Sequence, residues 1–225
     1  MSGYRVKLQR LAVAGSGDLQ ICSLHDRQQY ADSFGEAEAA GISPACWPLF
    51  GQIWPSCQKL ADLMQSWVVG DPSVREMGCG LALASLVVHR RGGDVTASGR
   101  HPLAESFFRV NLSPNGMSGL EFRVGHRTRQ NPRLGKFGLI IDSDRLCERN
   151  HPEQVAAFIE LHASREAEVL IIDPNRGNRL ALHHHMRRLG FLVDETTLEA
   201  MLDDGHLFRG RLLRYRRSAQ SVKRV

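Results

Sequence analysis

Val74-Arg75-Glu76-Met77-Gly78-Cys79-Gly80 decides the reading of this chain, because a short strand candidate ends in two glycines and passes into the helical run Leu83-Ala84-Ser85-Leu86-Val87. Glycine tolerates positive φ and has no Cβ, so a turn of this kind lets backbone N–H groups approach a ligand closely. Downstream, Gly93-Asp94-Val95-Thr96-Ala97-Ser98 reads as a second short strand. Strand, glycine turn, helix and strand make a βαβ unit, and such units hold nucleotide-like ligands beyond the carboxyl ends of their strands.

The alternation continues outward from that unit. Beyond strand 73–77, helix 83–91 and strand 94–98, the periodicities predict helix 102–111, strands 120–124 and 137–142, helix 152–162, strand 168–172, helix 178–189, and strands 191–197 and 206–216. This is the pattern of a parallel sheet wrapped by helices. The last two strands flank Asp203-Asp204-Gly205 with no helix between them, so they are expected to pair antiparallel. Upstream, Tyr4 to Arg10 and Leu19 to Leu24 flank the turn signal Gly15-Ser16-Gly17-Asp18 and predict a hairpin. The stretch 26–40 is weakly helical. Ile42-Ser43-Pro44-Ala45-Cys46-Trp47-Pro48 is expected to stay extended as a linker or lid, because of its two prolines. Ser56 is the expected cap of a helix from Gln58 to Trp67. The division that follows is 1–45 for the hairpin and lid, 46–217 for the α/β domain, and 218–225 for a basic tail.

The chain has 225 residues, 42% of them hydrophobic and 24% charged, which is ordinary for a globular α/β protein. It has no apolar run of the roughly 18 residues a membrane span needs, and its first residues lack a secretory signal, so a soluble, cytoplasmic protein is expected. Five cysteines (Cys22, Cys46, Cys57, Cys79, Cys147) are odd in number and none is spaced CxxC, which argues against a disulfide framework or a zinc site. His183-His184-His185 does not change that: consecutive helical residues point about 100° apart and do not converge on one ion. A solvent-facing helix is expected there.

The formal charge is +5, and Leu207 to Val225 holds seven basic residues and no acidic one. Subtracting those seven leaves the rest of the chain at −2. The basic character therefore belongs to the C-terminal strand and tail, which argues against general nucleic-acid binding. An edge strand with a solvated arginine face accounts for it, and a surface for an acidic partner or RNA remains the alternative.

Four segments together resemble a known family: Ile53-Trp54-Pro55-Ser56, Glu76-x-Gly78-Cys79-Gly80, Ser98-x-x-His101-Pro102 and Ile140-Ile141-x-Ser143-Asp144. In order and spacing, from about Trp54 to Phe191, the chain is similar to the small class I S-adenosylmethionine-dependent methyltransferases, in particular those that methylate protein lysine side chains. The resemblance implies a seven-stranded, mostly parallel sheet with helices on both faces, a C-terminal antiparallel hairpin, and S-adenosylmethionine as cofactor. It places Glu76, Gly78, Cys79 and Gly80 under the methionine part of the cofactor, Trp54 near its pocket, and His126 and Arg127 beside the adenine. Ser143 and Asp144 then face the reacting methyl group, with Asp144 holding the acceptor amine of a protein substrate or small molecule. Plainer roles stay open: Glu76 as a helix cap, Trp54 as a core anchor, and Asp144 as the ion-pair partner of Arg145 or Arg149.

The chain also departs from the family pattern. Gly99 stands where an acidic residue normally accepts bonds from the ribose hydroxyls, leaving Ser98 as the nearest substitute. Ala82 replaces a third glycine and Gly138 an aspartate. Asp144-Arg145-Leu146-Cys147 stands where the family reads Asp-Val-Leu-Tyr. Two functions fit these residues: methyl transfer to a nitrogen nucleophile, or a methyltransferase fold with a weak or inactive site that serves as a binding module.

Overall fold

The computed structural model describes residues 4–30, 32, 34–68, 73–125, 134–202 and 205–218. Nine strands and six α-helices are seen among them: β1 (Val6–Leu11), β2 (Leu19–Leu24), α1 (Glu36–Ala39), α2 (Pro55–Ser66), β3 (Val74–Glu76), α3 (Leu83–Arg90), β4 (Val95–Gly99), α4 (Ala104–Leu112), β5 (Glu121–Val124), β6 (Phe137–Ser143), α5 (His151–His162), β7 (Ala163–Asp173), α6 (Arg179–Arg188), β8 (Leu192–Met201) and β9 (Leu207–Arg217). Strands β3 to β9 form one seven-stranded sheet in the order β5-β4-β3-β6-β7-β9-β8, and β1 pairs with β2 as a separate hairpin. Only β9 runs against its neighbours, pairing antiparallel with both β7 and β8.

Period-two burial explains why the sheet is covered on both faces. Leu170 and Ile172 of β7 join a core with α2, α3 and α4, while Val169 and Ile171 join the core under α5 and α6. All four are fully buried, and each such side chain contributes roughly 1.5–3 kcal/mol on burial. The hairpin belongs to the first core through Leu19, Ile21 and Leu24. Its outer backbone is tied down by α4 and the 3₁₀ turn Ser113–Asn115 that follows it: the Asn111 amide pairs with the Cys22 N–H and C=O at 2.7 and 3.2 Å, and Asn115 does the same for Gln20 at 2.9 and 2.8 Å. Two asparagines one helical turn apart thus satisfy a strand edge that would otherwise be left unpaired. One feature works against stability. Arg75 of β3 is fully buried, and its guanidinium lies 5.4 Å from the Phe137 ring with no hydrogen-bond partner among the described residues.

Four expectations require correction. The C-terminal strand is not an edge strand: β9 lies between β7 and β8, and its arginines pair with carboxylates on both, Arg214 with Glu168 and Arg216 with Asp194 at 2.6 Å each, and Arg211 with Glu195. Strand β8 takes the edge, since its carboxylates and alternating exposure suit solvent. The lid is not extended, because Trp47–Gly51 closes into a 3₁₀ helix with Pro48 in its first turn, where a missing N–H costs nothing. Helix α2 starts at Pro55 with Trp54 as its N-cap, so Ser56 lies inside the first turn, buried. Finally, His183 faces the core rather than solvent: it is 4% exposed and hydrogen-bonds the Tyr215 hydroxyl at 3.0 Å and Glu195 at 2.9 Å. The tail from residue 219 lies outside the described residues.

Candidate functional site

The chain runs outward from β3 to β4 to β5 and returns to β6 on the other side of β3, so the carboxyl ends of β3 and β6 diverge and leave a crevice. The turn 77–82 lies at its floor. Gly78 and Gly80 adopt φ of +63° and +53°, and the turn is pinned by Met77 N–H donating to Ile141 O and Cys79 N–H donating to Ser98 O, at 2.9 and 2.8 Å. Ala82, which stands in for a third glycine, takes a left-handed φ of +61° nonetheless. Such a conformation costs a residue with a Cβ about 1–2 kcal/mol.

Two adjoining chambers open above this turn. The inner one, about 30 Å³, lies over the ends of β3 and β4 and is lined by Met77, Ser98, Gly125, Gln154 and Phe158, among others. The outer one, about 290 Å³, extends under the 3₁₀ helix and is lined by Phe50, Trp54, Cys79, Gly80, Ser143 and Asp144, among others. Gly78, Gly99, Arg100, Arg145 and His151 border both. The 3₁₀ helix roofs the outer chamber. Phe50 stacks on His101 with ring centroids 3.7 Å apart, Trp47 meets the same imidazole at 4.2 Å, and the Trp47 indole N–H donates to the Tyr4 hydroxyl at 3.0 Å. Burial among these rings pushes His101 down to about 3, so it is a neutral wall residue at physiological pH.

Of the ten residues expected at the site, seven line these chambers: Trp54, Gly78, Cys79, Gly80, Ser98, Ser143 and Asp144. Trp54 is half-buried, donates its indole N–H to Leu49 O at 2.8 Å and carries the Arg27 guanidinium over its ring at 4.5 Å, so it also anchors the lid. Ser98 faces the inner chamber but donates its hydroxyl to Glu76 O at 2.9 Å. His126 and Arg127 lie outside the described residues. Glu76 lines neither chamber. It is 2% exposed, and its carboxylate accepts the Ser85 N–H at 2.8 Å and the Ser85 hydroxyl, so it acts as a cap within the first turn of α3.

Burial raises the Glu76 carboxyl to about 7 against the Ser85 hydrogen bonds, which favour the charged form. A raised carboxyl pKa means that the folded state holds its proton more tightly than the unfolded state does. Its stabilising contribution is complete below about 4.5 and is lost as pH rises to about 7, a swing of about 3 kcal/mol. Urea midpoints measured across that window will show this decline, and Glu76→Gln, which keeps an acceptor for Ser85, will flatten it. A Gln variant with the wild-type slope would rule out Glu76 as its source.

Asp144 follows β6 with φ +56°, and its carboxylate pairs with neither Arg145 nor Arg149. Arg176, from the loop after β7, grips it with two hydrogen bonds at 2.8 and 3.1 Å. No local sequence signal links residues 32 positions apart, and the pair exists only because β6 and β7 lie side by side. Arg145 turns back instead: its Nε lies 3.5 Å from Asp142, which is 1% exposed, and its guanidinium rests on Gly78, where a Cβ would come within 2.7 Å of it. Cys147, in place of a phenol, has a thiol pushed up by burial and by Asp144. Among the described residues no group of three or more His, Cys, Asp or Glu is arranged to hold a metal ion.

No protein-family model and no curated protein sequence matches the chain. Solved structures do match its fold. A precorrin-6y C5,15-methyltransferase from Geobacter metallireducens superposes with a TM-score of 0.60 over 72% of this chain and 89% of its own, at 12% identity. This is the class I methyltransferase fold. A methyltransferase from Pyrococcus furiosus matches with TM-score 0.60 and 14% identity over 82% of this chain and all of its own. A magnesium protoporphyrin IX methyltransferase from Synechocystis, solved with S-adenosylmethionine bound, matches with TM-score 0.58 and 16% identity over 85% and 95%. The methyltransferase fold puts both chambers of this chain at the carboxyl ends of its parallel strands, where such sheets bind ligands. Among the described residues no helix is long and apolar enough to cross a membrane.

Proposed function

We propose that this protein is an S-adenosylmethionine-dependent methyltransferase acting on a nitrogen nucleophile, borne by a protein side chain or a small-molecule amine. The observation that carries this reading is the pair of chambers that share a border over a glycine turn, with Ser143 and Asp144 in the wall of the outer one. The residues present suit the cofactor: Gly78, Gly80, Gly99 and Gly125 border the chambers, and the positive φ of Gly78 and Gly80 lets the backbone turn tightly beneath the place of a nucleoside and its methionine arm. When bound, the cofactor supplies an electrophilic methyl on a sulfonium that departs as a neutral thioether.

The protein's share of the work is positioning. Asp144, held by Arg176, retains lone pairs beyond the two that Arg176 uses, and these orient an incoming amine. The amine attacks as its neutral form, and the nearby Arg145 guanidinium favours loss of the ammonium proton. The lid lays Leu49 and Phe50 along the outer chamber and so narrows the access of water to it.

Titration calorimetry with S-adenosylhomocysteine tests the cofactor reading: saturable binding is expected, and no binding at millimolar ligand would reject it. Gly99→Asp restores a carboxylate for the ribose hydroxyls. An ordinary φ and contacts of 3.2 Å to Ala104 and 3.5 Å to Phe122 leave room after a small shift. The variant is expected to bind roughly tenfold more tightly, since a hydrogen bond to a charged acceptor contributes about 1.5–3 kcal/mol.

A second reading has an observation of its own. Arg145 resting on Gly78 and the occupied carboxylate of Asp144 suit a fold that binds without catalysing. Turnover of labelled cofactor on cell lysate separates the two, since a binding module labels no band.

A further inference from the structure

The border between the chambers is cationic in a way that a lysine acceptor does not need. The inner chamber is lined by Arg100 and Arg145 and, among the described residues, by no aspartate or glutamate, while the His151 imidazole on the same border is already engaged by Glu148 through both ring nitrogens. Arg100, at the end of β4, has no carboxylate within ion-pair distance among the described residues, and burial together with the Arg145 charge depresses its guanidinium. Among the described residues Arg145 has one carboxylate partner, Asp142, at a long 3.5 Å and through Nε, so the terminal nitrogens of its fork have no carboxylate partner there. In the outer chamber the carboxylate of Asp144 is already matched by Arg176, and Glu148, 64% exposed, lies 3.4 Å from His151 and acts on Arg100 only weakly from a distance. Two neighbouring guanidiniums held together at a chamber border repel each other until an anion lies between them, and paired guanidinium forks suit the planar or tetrahedral oxygens of carboxylate and phosphate.

We propose that Arg100 and Arg145 form an anion-binding subsite, which takes a carboxylate or phosphate group of the molecule to be methylated. The role as acceptor subsite rests on the methyltransferase reading above; the anion site itself does not. It narrows the acceptor to an amine that carries an acidic group, placed so that the anion sits at the chamber border and the nitrogen reaches past Ser143.

The test uses the full chain and three probes: inorganic phosphate, acetate, and S-adenosylhomocysteine. At constant ionic strength, phosphate or acetate is expected to stabilise the wild type saturably in thermal unfolding. Arg100→Gln and Arg145→Gln are each expected to need roughly tenfold more anion for the same shift. Arg165→Gln, on the exposed part of β7, serves as a control that leaves the response unchanged. A response to phosphate alone assigns a phosphate, and a response to acetate alone a carboxylate. Equal anion responses in the wild type and both site variants would overturn the proposal, as would no saturable response in the wild type. Calorimetry with S-adenosylhomocysteine on the same samples keeps the two ideas apart. Anion binding that depends on the two arginines without nucleoside binding would keep the subsite and remove the methyltransferase reading. Nucleoside binding without an arginine-dependent anion response would do the reverse.

Discussion

Gly80→Val is expected to weaken S-adenosylhomocysteine binding on the order of a hundredfold, close to 3 kcal/mol. Position 80 has φ +53°, a conformation that a β-branched residue adopts only under strain, and a Cβ there would stand 3.0 Å from the Phe50 carbonyl oxygen. A backbone oxygen cannot swing aside as a side chain can. Either the turn flattens and loses the Met77 and Cys79 hydrogen bonds that pin it, or the lid lifts from it. Calorimetry reads the affinity and urea unfolding reads the strain, for which about 2 kcal/mol is expected. Binding within a factor of two of the wild type would mean that the turn does not carry the ligand.

Trp47→Ala is expected to destabilise the protein by roughly 3–5 kcal/mol, the usual range for removing a buried tryptophan. Trp47 is 2% exposed and connects three parts of the chain: Tyr4 before the hairpin, Tyr30 after it, and His101 after β4. A second readout separates lid opening from general loss of packing. His101 owes its depression to about 3 chiefly to burial, so exposing it will raise its midpoint toward the ordinary 6.5 in an NMR titration. A depressed histidine lets stability drain away as pH falls from about 6.5 toward 3, and this acid sensitivity should shrink in the variant. An unmoved His101 midpoint would show that the lid stays closed without its tryptophan.

Local signals made most of the scaffold legible. The glycine turn, the seven sheet strands and the antiparallel final pair all announce themselves within a few residues, because periodicity and φ preference act over short range. Glu76 shows the limit of that reading. Its place at the end of β3 was legible, but the choice between cofactor and Ser85 depended on which way a buried carboxylate turned once α3 packed down. Asp144 is similar, since Arg176 reaches it only because β6 and β7 lie side by side. His183 reads as one of three exposed imidazoles until Tyr215 and Glu195 arrive from the two last strands.

The amino-acid order by itself determined the elements, their sequence along the chain and the turn that floors the crevice, because these depend on neighbours within a helical turn or a strand pair. Tertiary structure decided the rest. It buried the basic C-terminal strand between two acidic neighbours, folded the lid over His101, and brought Arg100 and Arg145 to one border. Each of those outcomes is an electrostatic or packing match between residues far apart in sequence, and it exists only after the sheet has set their distances.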